Sequence, residues 1–222
     1  MSNKKQGLIW IKGFSSSGKT TVARNVEYLL KKDGYNVISL DGDELRAIFS
    51  GKWGYDKNSR KELAGAYFRL CSHLSSQGYT VVISAVAMFD EVEEWVQNNI
   101  LNSVQIFLDV PLKERKSRDQ KTKQIFINQD FNDKDYDLPK NSDLVIKNYG
   151  DIGPRDTAMK IVSLFSNYSQ DSLDRSRTEH WGNFYAKDLA PNNPSSFAEE
   201  VLKHTKKDSR MLEIGCGNGR DS

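Results

Sequence analysis

Gly13-Phe14-Ser15-Ser16-Ser17-Gly18-Lys19-Thr20 follows the apolar run Leu8-Ile9-Trp10-Ile11 and leads into a helical pattern that starts at Thr21. A strand, then G-x-x-x-x-G-K-[ST], then a helix is the P-loop arrangement. The two glycines let the backbone turn tightly, so that successive amide N–H groups converge on one point. The helix that follows adds its unpaired N-terminal donors and its positive dipole end, which together make a seat for phosphate. This reading assigns ATP binding to Gly13, Ser15, Ser16, Ser17, Gly18, Lys19, Thr20 and Thr21. Lys19 is expected to reach the β- and γ-phosphates and to act in catalysis, and the Thr20 hydroxyl to hold Mg²⁺.

The rest of the chain alternates in the same way. A helix with Val22, Ala23, Val26, Leu29 and Leu30 on one face ends at Gly34, and Asn36–Leu40 forms a second strand. Glu62–Gln77 is a predicted helix closed by Gly78, and Thr80–Ser84 a third and very apolar strand. Phe89–Ile100 is a predicted helix, Val104–Val110 a fourth strand, Leu112–Gln124 a charged helix, Asp143–Ile146 a fifth strand and Thr157–Phe165 a last amphipathic helix. Strands alternating with helices imply a parallel sheet of about five strands covered on both faces, a three-layer α/β fold. Ligands in such a fold gather at the carboxyl ends of the strands, where the P-loop lies.

Composition narrows the class. The chain has 222 residues, 37% of them hydrophobic and 28% charged, with a net charge of +2. That balance gives no reason to expect a nucleic-acid or membrane partner. No apolar run approaches the ~20 residues of a membrane span, and the start Met1-Ser2-Asn3-Lys4-Lys5 is polar. Cys71 and Cys216 lie far apart in different kinds of segment, which fits a reducing cytoplasm better than a disulfide framework. His73, His180 and His204 show no metal-ligand spacing.

Directly after the second strand comes Leu40-Asp41-Gly42-Asp43-Glu44-Leu45-Arg46. It puts two carboxylates and a guanidinium at a strand end beside the P-loop. A phosphoryl acceptor needs a base near its hydroxyl, and an arginine one helical turn on can hold an acceptor's phosphate or sulfate bidentately. The residues alone leave a second reading open: a strand-end turn with Asp43 capping a helix and Glu44 on its dipole.

Together these stretches resemble the adenylylsulfate kinases, which phosphorylate the 3′-hydroxyl of adenosine 5′-phosphosulfate (APS) with ATP to give PAPS and ADP. The resemblance covers roughly residues 7 to 166. It rests on the P-loop, Asp41-Gly42-Asp43-x-x-Arg46, Gly54-Tyr55 with Arg60 and Glu62, Val110-Pro111-Leu112, Arg118-Asp119, and Asp135-Tyr136-Asp137 with Pro139. It implies that Asp43 is the acid/base aspartate, that Arg46 and Arg60 bind the acceptor's phosphate and sulfate, and that Tyr55 stands against its base. It further implies a basic lid containing Arg118, Asp119 and Lys121, with Arg118 at ATP, and Phe131 as a second stacking ring. Asp41, Arg46, Tyr55, Arg60, Lys121 and Phe131 thus form the expected acceptor set, and a homodimer is the assembly such a resemblance suggests. Read without the resemblance, the lid helix is equally a solvated charged face.

The departures are specific. Where the family follows Arg60-x-Glu62 with an asparagine and paired arginines, this chain has Leu63, then Gly65 and Ala66. The serine–proline after the third strand is replaced by Ser84-Ala85-Val86-Ala87, and the Lys-Gly-Leu-Tyr run of the lid by Lys121-Thr122-Lys123-Gln124. A relative acting on another nucleotide conjugate, as in surface-polysaccharide tailoring, is the alternative these changes raise.

Composition changes near Asn167, which divides the chain into a kinase-like domain over 1–168 and a remainder over 169–222. In the remainder, Leu212-Glu213-Ile214-Gly215-Cys216-Gly217-Asn218-Gly219 resembles motif I of the S-adenosylmethionine-dependent methyltransferases. The expectation is a methyltransferase domain cut off at its first strand, with S-adenosylmethionine bound only by a longer protein. A different class of function also follows from that pairing: an ATP-gated module that positions an attached methyltransferase and uses neither Asp43 nor Arg46.

Overall fold

The structure, a computed structural model, describes residues 6–49, 53–120, 126, 135–167 and 203–204. The chain divides into two units, Met1–Gln170 and Asp171–Ser222, and the sheet with its covering helices belongs to the first. Lys121, Phe131 and the methyltransferase-like stretch Leu212–Gly219 lie outside the described residues.

Five parallel strands form one sheet: β1 (Gly7–Lys12), β2 (Val37–Asp41), β3 (Thr80–Ser84), β4 (Ser103–Asp109) and β5 (Leu144–Lys147), in the order β2-β3-β1-β4-β5. Every residue of β1 and of β3 is buried, as expected of strands covered on both faces. Side chains alternate along β1 between two cores. Leu8 and Trp10 face a cluster built with Leu63, Tyr67, Phe68 and Phe89, while Ile9 and Ile11 face one built with Val22, Val26, Leu30 and Phe165.

The helices are α1 (Lys19–Lys32), α2 (Gly42–Ile48), α3 (Lys57–Ser76), α4 (Asp90–Asn99), α5 (Leu112–Gln120) and α6, which covers 154–167. Because the strand order reverses about β1, a crevice opens at the carboxyl end of that strand, and the P-loop occupies it.

Several boundaries differ from expectation for identifiable reasons. α1 begins at Lys19 rather than Thr21, since the loop's last turn is already helical. α3 begins at Lys57 rather than Glu62, because Asp56 caps it by accepting from the Ser59 N–H at 3.0 Å. Asp41 ends β2 and caps α2 by accepting from the Asp43 N–H at 2.9 Å, so the cap is Asp41 and not Asp43.

Candidate active site

Loop, helix ends and strand ends surround a cavity of about 1090 Å³. That exceeds the ~300–1,000 Å³ usual for a single small-molecule site, giving room for two nucleotides. Ser15, Ser16, Gly18, Lys19, Thr20 and Thr21 line its phosphate end, with Arg118 and Asn148 beside them. Gly18 has φ +92°, a conformation that favours glycine, and a Cβ there would stand 3.0 Å from Asn148 Nδ2. Gly13 and Ser17 are not on the wall. Ser17 is wholly buried, and a Cβ on Gly13 would meet its hydroxyl at 2.8 Å. They serve as the back of the loop, which the sequence pattern does not distinguish from the front.

The back of the loop is tied to the sheet's far side. The Ser17 carbonyl accepts from Asn148 Nδ2 at 2.8 Å and from Arg118 Nη1 at 3.4 Å, and Arg118 Nη2 donates to the Asn148 carbonyl at 2.9 Å. Thr157 in turn donates to Asn148 Oδ1 at 3.1 Å. The charged α5 is therefore more than a solvated face: Arg115 and Asp119 are buried, and Ser16 donates to Asp119 at 3.1 Å. Asn148 carried no recognisable signal in the sequence, being one polar residue after a short strand.

Asp41, also on the cavity wall, is bonded to the loop and to β3. Its Oδ2 accepts from Thr20 Oγ1 at 2.8 Å and from Ser84 Oγ at 2.7 Å. A hydroxyl and a carboxylate side by side are hard oxygen donors of the kind that hold Mg²⁺ together with nucleotide phosphates. Among the described residues no cluster of three or more His, Cys, Asp or Glu could hold a metal alone. The donor set therefore fits a Mg²⁺ that arrives on a triphosphate. Ordinary P-loop chemistry supplied the signal for Thr20 but only the strand end brings Asp41 to it.

The other end of the cavity carries Asp43, Arg46, Tyr55, Arg60, Tyr67 and Tyr136. Arg46 lies over the Tyr55 ring at 4.6 Å and donates to the Gly54 carbonyl at 3.3 Å. Arg60 donates from Nε to the Tyr55 carbonyl at 2.5 Å and from Nη1 to the Tyr136 hydroxyl at 2.6 Å. Tyr67 donates to the Gly42 carbonyl at 3.1 Å, bracing the turn that presents Asp43, and burial pushes its phenol up to about 12. Both arginines thus line the same cavity as the P-loop, together with Asp43 and Tyr55; spacing suggested this for Asp43 and Arg46, and the family resemblance for Arg60 and Tyr55.

The wall between them is apolar: Leu63, Ala64, Ala85, Val86, Ala87 and Phe89. α3 turns residues 60, 63, 64 and 67 toward the cavity, at helical spacing. Gly65 points elsewhere, into a groove with Lys61, Arg69, Glu91 and Trp95. Of the positions where α3 departs from the resemblance, 63 lies on the cavity wall as an alkyl surface and 65 in the outward groove.

Lys12 was not legible as a functional or structural residue. Following Leu8 and Trp10 in the alternation, it points into the α3–α4 side of the sheet and is fully buried. Its Nζ meets Glu93 Oε1 at 2.5 Å, Gln105 Oε1 at 2.9 Å and the Asn141 carbonyl at 3.1 Å. Burial lowers its pKa from the ordinary lysine value, against the opposing pull of the Glu93 carboxylate.

The adenylylsulphate kinase family matches residues 5–147. A cytidine diphosphoramidate kinase of Campylobacter jejuni is 34% identical over 149 residues, covering 64% of this chain and 85% of that protein. An adenylyl-sulfate kinase of Microcystis aeruginosa is 31% identical over 119 residues, covering 53% of this chain and 66% of that protein. Among solved structures, the Mycobacterium tuberculosis APS kinase in complex with AMPPNP and APS superposes with a TM-score of 0.63 at 25% identity, over 72% of this chain and 98% of that one. The chain belongs to the adenylylsulphate kinase family and is a kinase-type phosphotransferase with the three-layer α/β fold.

Proposed function

We propose that this family member transfers the γ-phosphoryl group of ATP to a sugar hydroxyl of a nucleotide whose 5′-phosphate carries a further group, and that cytidine diphosphoramidate is its acceptor in preference to APS. The observation behind the general reaction is the single cavity holding the P-loop face at one end and Asp43, Arg46 and Arg60 at the other. Each guanidinium suits one anionic group of a conjugate, and Tyr55 offers a ring to its base. The preference among acceptors rests on the longer match to the cytidine diphosphoramidate kinase and on Leu63, which puts alkyl surface where APS kinases place an asparagine. APS is the second reading, because Asp43, Arg46, Arg60 and Tyr55 all stand where that family's motif has them.

Lys19 and the loop amides hold the triphosphate while Asp43 orients the acceptor hydroxyl in line with the γ-phosphorus. The acceptor oxygen forms its bond to phosphorus, the bond to the β,γ-bridging oxygen breaks, and ADP leaves. The hydroxyl proton passes to the Asp43 carboxylate. Mg²⁺, held by Thr20 and Asp41 with the phosphates, would neutralise charge on the moving group. The apolar wall keeps water from competing with the acceptor.

The test is ATP turnover with cytidine diphosphoramidate and with APS, each at a range of concentrations. A higher kcat/KM for the first, with Arg46→Ala raising the acceptor KM, is the expected result. Preference for APS would reverse the order of the two acceptors. Turnover with neither, or with no added acceptor at all, would remove the assignment.

A further inference from the structure

Arg60 is held on two sides. Its Nε donates to the Tyr55 carbonyl and its Nη1 to the Tyr136 hydroxyl, using two of the five N–H groups of the guanidinium and fixing its plane. Tyr136 itself is set from behind. Its ring packs on Phe89 with centroids 5.3 Å apart, and Phe89 is buried at the start of α4. The next residue, Asp137, donates its N–H to the Met88 carbonyl at 2.9 Å, pairs with Lys57 at 2.9 Å and accepts from the Asp90 N–H at 3.2 Å. Further along, Asn141 is clasped by the buried pair, its carbonyl by Lys12 and its N–H by Glu93 at 3.3 Å.

A segment anchored so often, far from Arg60 in sequence, presents a neutral hydroxyl to the Arg60 guanidinium. The chemistry of that choice matters. A carboxylate in the same place would orient Arg60 but also cancel its charge, leaving little for an anionic ligand. A phenol orients the guanidinium and leaves its charge to the cavity.

We propose that Tyr136 is a positioning residue for the acceptor: it fixes Arg60 in the one orientation that receives the acceptor's anionic group, and so sets acceptor affinity without touching the reacting atoms. This rests on the reading of Arg60 as an acceptor-binding residue. Tyr136 is given no role toward ATP, which the P-loop holds.

Tyr136→Phe keeps the ring on Phe89 and removes only the hydroxyl. In the full chain, with ATP and either cytidine diphosphoramidate or APS, it should raise the acceptor KM about tenfold, the effect of losing one hydrogen bond to a charged group. The ATP KM and kcat should move less than the acceptor KM, and the melting temperature should hold. In an Arg60→Ala background the same change should add little, because the group it positions is gone. If Arg60→Ala raises the acceptor KM and Tyr136→Phe does not, the inference is wrong and the acceptor site stands. An equal rise in the ATP KM, or a full effect in the Arg60→Ala background, also overturns it. If Arg60→Ala itself leaves the acceptor KM unchanged, the acceptor site is misplaced and the inference falls with it.

Discussion

Replacing Glu93 by Gln tests whether the core behind the P-loop is held by a true buried ion pair. The side chains of Lys12 and Glu93 are 0% and 2% exposed, so neither charge is solvated. Removing one partner of such a pair strands the other, which costs about 3–5 kcal/mol. Lys12 keeps Gln105 Oε1 at 2.9 Å and the Asn141 carbonyl at 3.1 Å, so the loss should sit near the lower figure, about 3 kcal/mol at neutral pH. The pH dependence gives a second handle. A lysine whose folded pKa lies below its unfolded value of 10.5 carries its full burial penalty at low pH, where both states hold the proton. As pH rises past the folded pKa the unfolded chain holds more protons than the folded one, and stability climbs until about 10.5. Without the Glu93 carboxylate the folded pKa falls further, so the deficit of Glu93→Gln should shrink across the alkaline range and over a wider window than in the parent. Tyr67 acts in the opposite sense: its phenol, raised to about 12, is protonated when folded, so its contribution is lost as pH climbs above the ordinary value of 10.0. Measurements are therefore best kept below that point. Urea unfolding followed through Trp10, whose ring centre lies 4.9 Å from Lys12 Nζ, reads the effect. Lys12→Met combined with Glu93→Gln should recover much of the loss and abolish the slope. A cost for Glu93→Gln under about 1 kcal/mol, with no alkaline recovery, would refute the pairing of charges.

Three further variants address the chemistry. Lys19→Ala should abolish turnover, and appreciable product in a radiolabelled ATP assay would contradict its role. Asp43→Asn should keep ATP affinity by calorimetry while cutting kcat roughly 10²–10⁴-fold, and near-normal kcat would remove it as the base. Asp41→Asn keeps one oxygen for Thr20 and Ser84 but turns its amide nitrogen to the Asp43 N–H, so α2 should lose its cap at a cost of about 1 kcal/mol while the Mg²⁺ concentration for half-maximal rate rises about tenfold, the loss of one charged ligand contact. An unchanged Mg²⁺ titration would return Asp41 to a purely bracing role.

Much of the site was legible because its signals are local. Strand, loop and helix around Gly13–Thr20 are contiguous, and the spacing from Asp43 to Arg46 is one helical turn. What the sequence left undecided has a different origin. Sequence gives the strand end that carries Asp41 but not its neighbour, and Thr20 reaches it only when β2 and the P-loop converge. Ser17 and Gly13 fit the motif as well as Ser15 does, yet the curl of the loop puts them behind it. The substitutions at 63 and 65 look equivalent on paper, and only the direction of α3 separates a cavity wall from an outward groove.

By itself the sequence determined the layer order, the phosphate seat and the family, because apolar periodicity and backbone turning depend on neighbours along the chain. Tertiary structure alone decided that Lys12 is buried against Glu93, that Asn148 ties the loop to the far strand, and that Tyr136 meets Arg60. Each of those joins residues from separate elements, and their hydrogen-bonding geometry exists only after the sheet and its helices have packed.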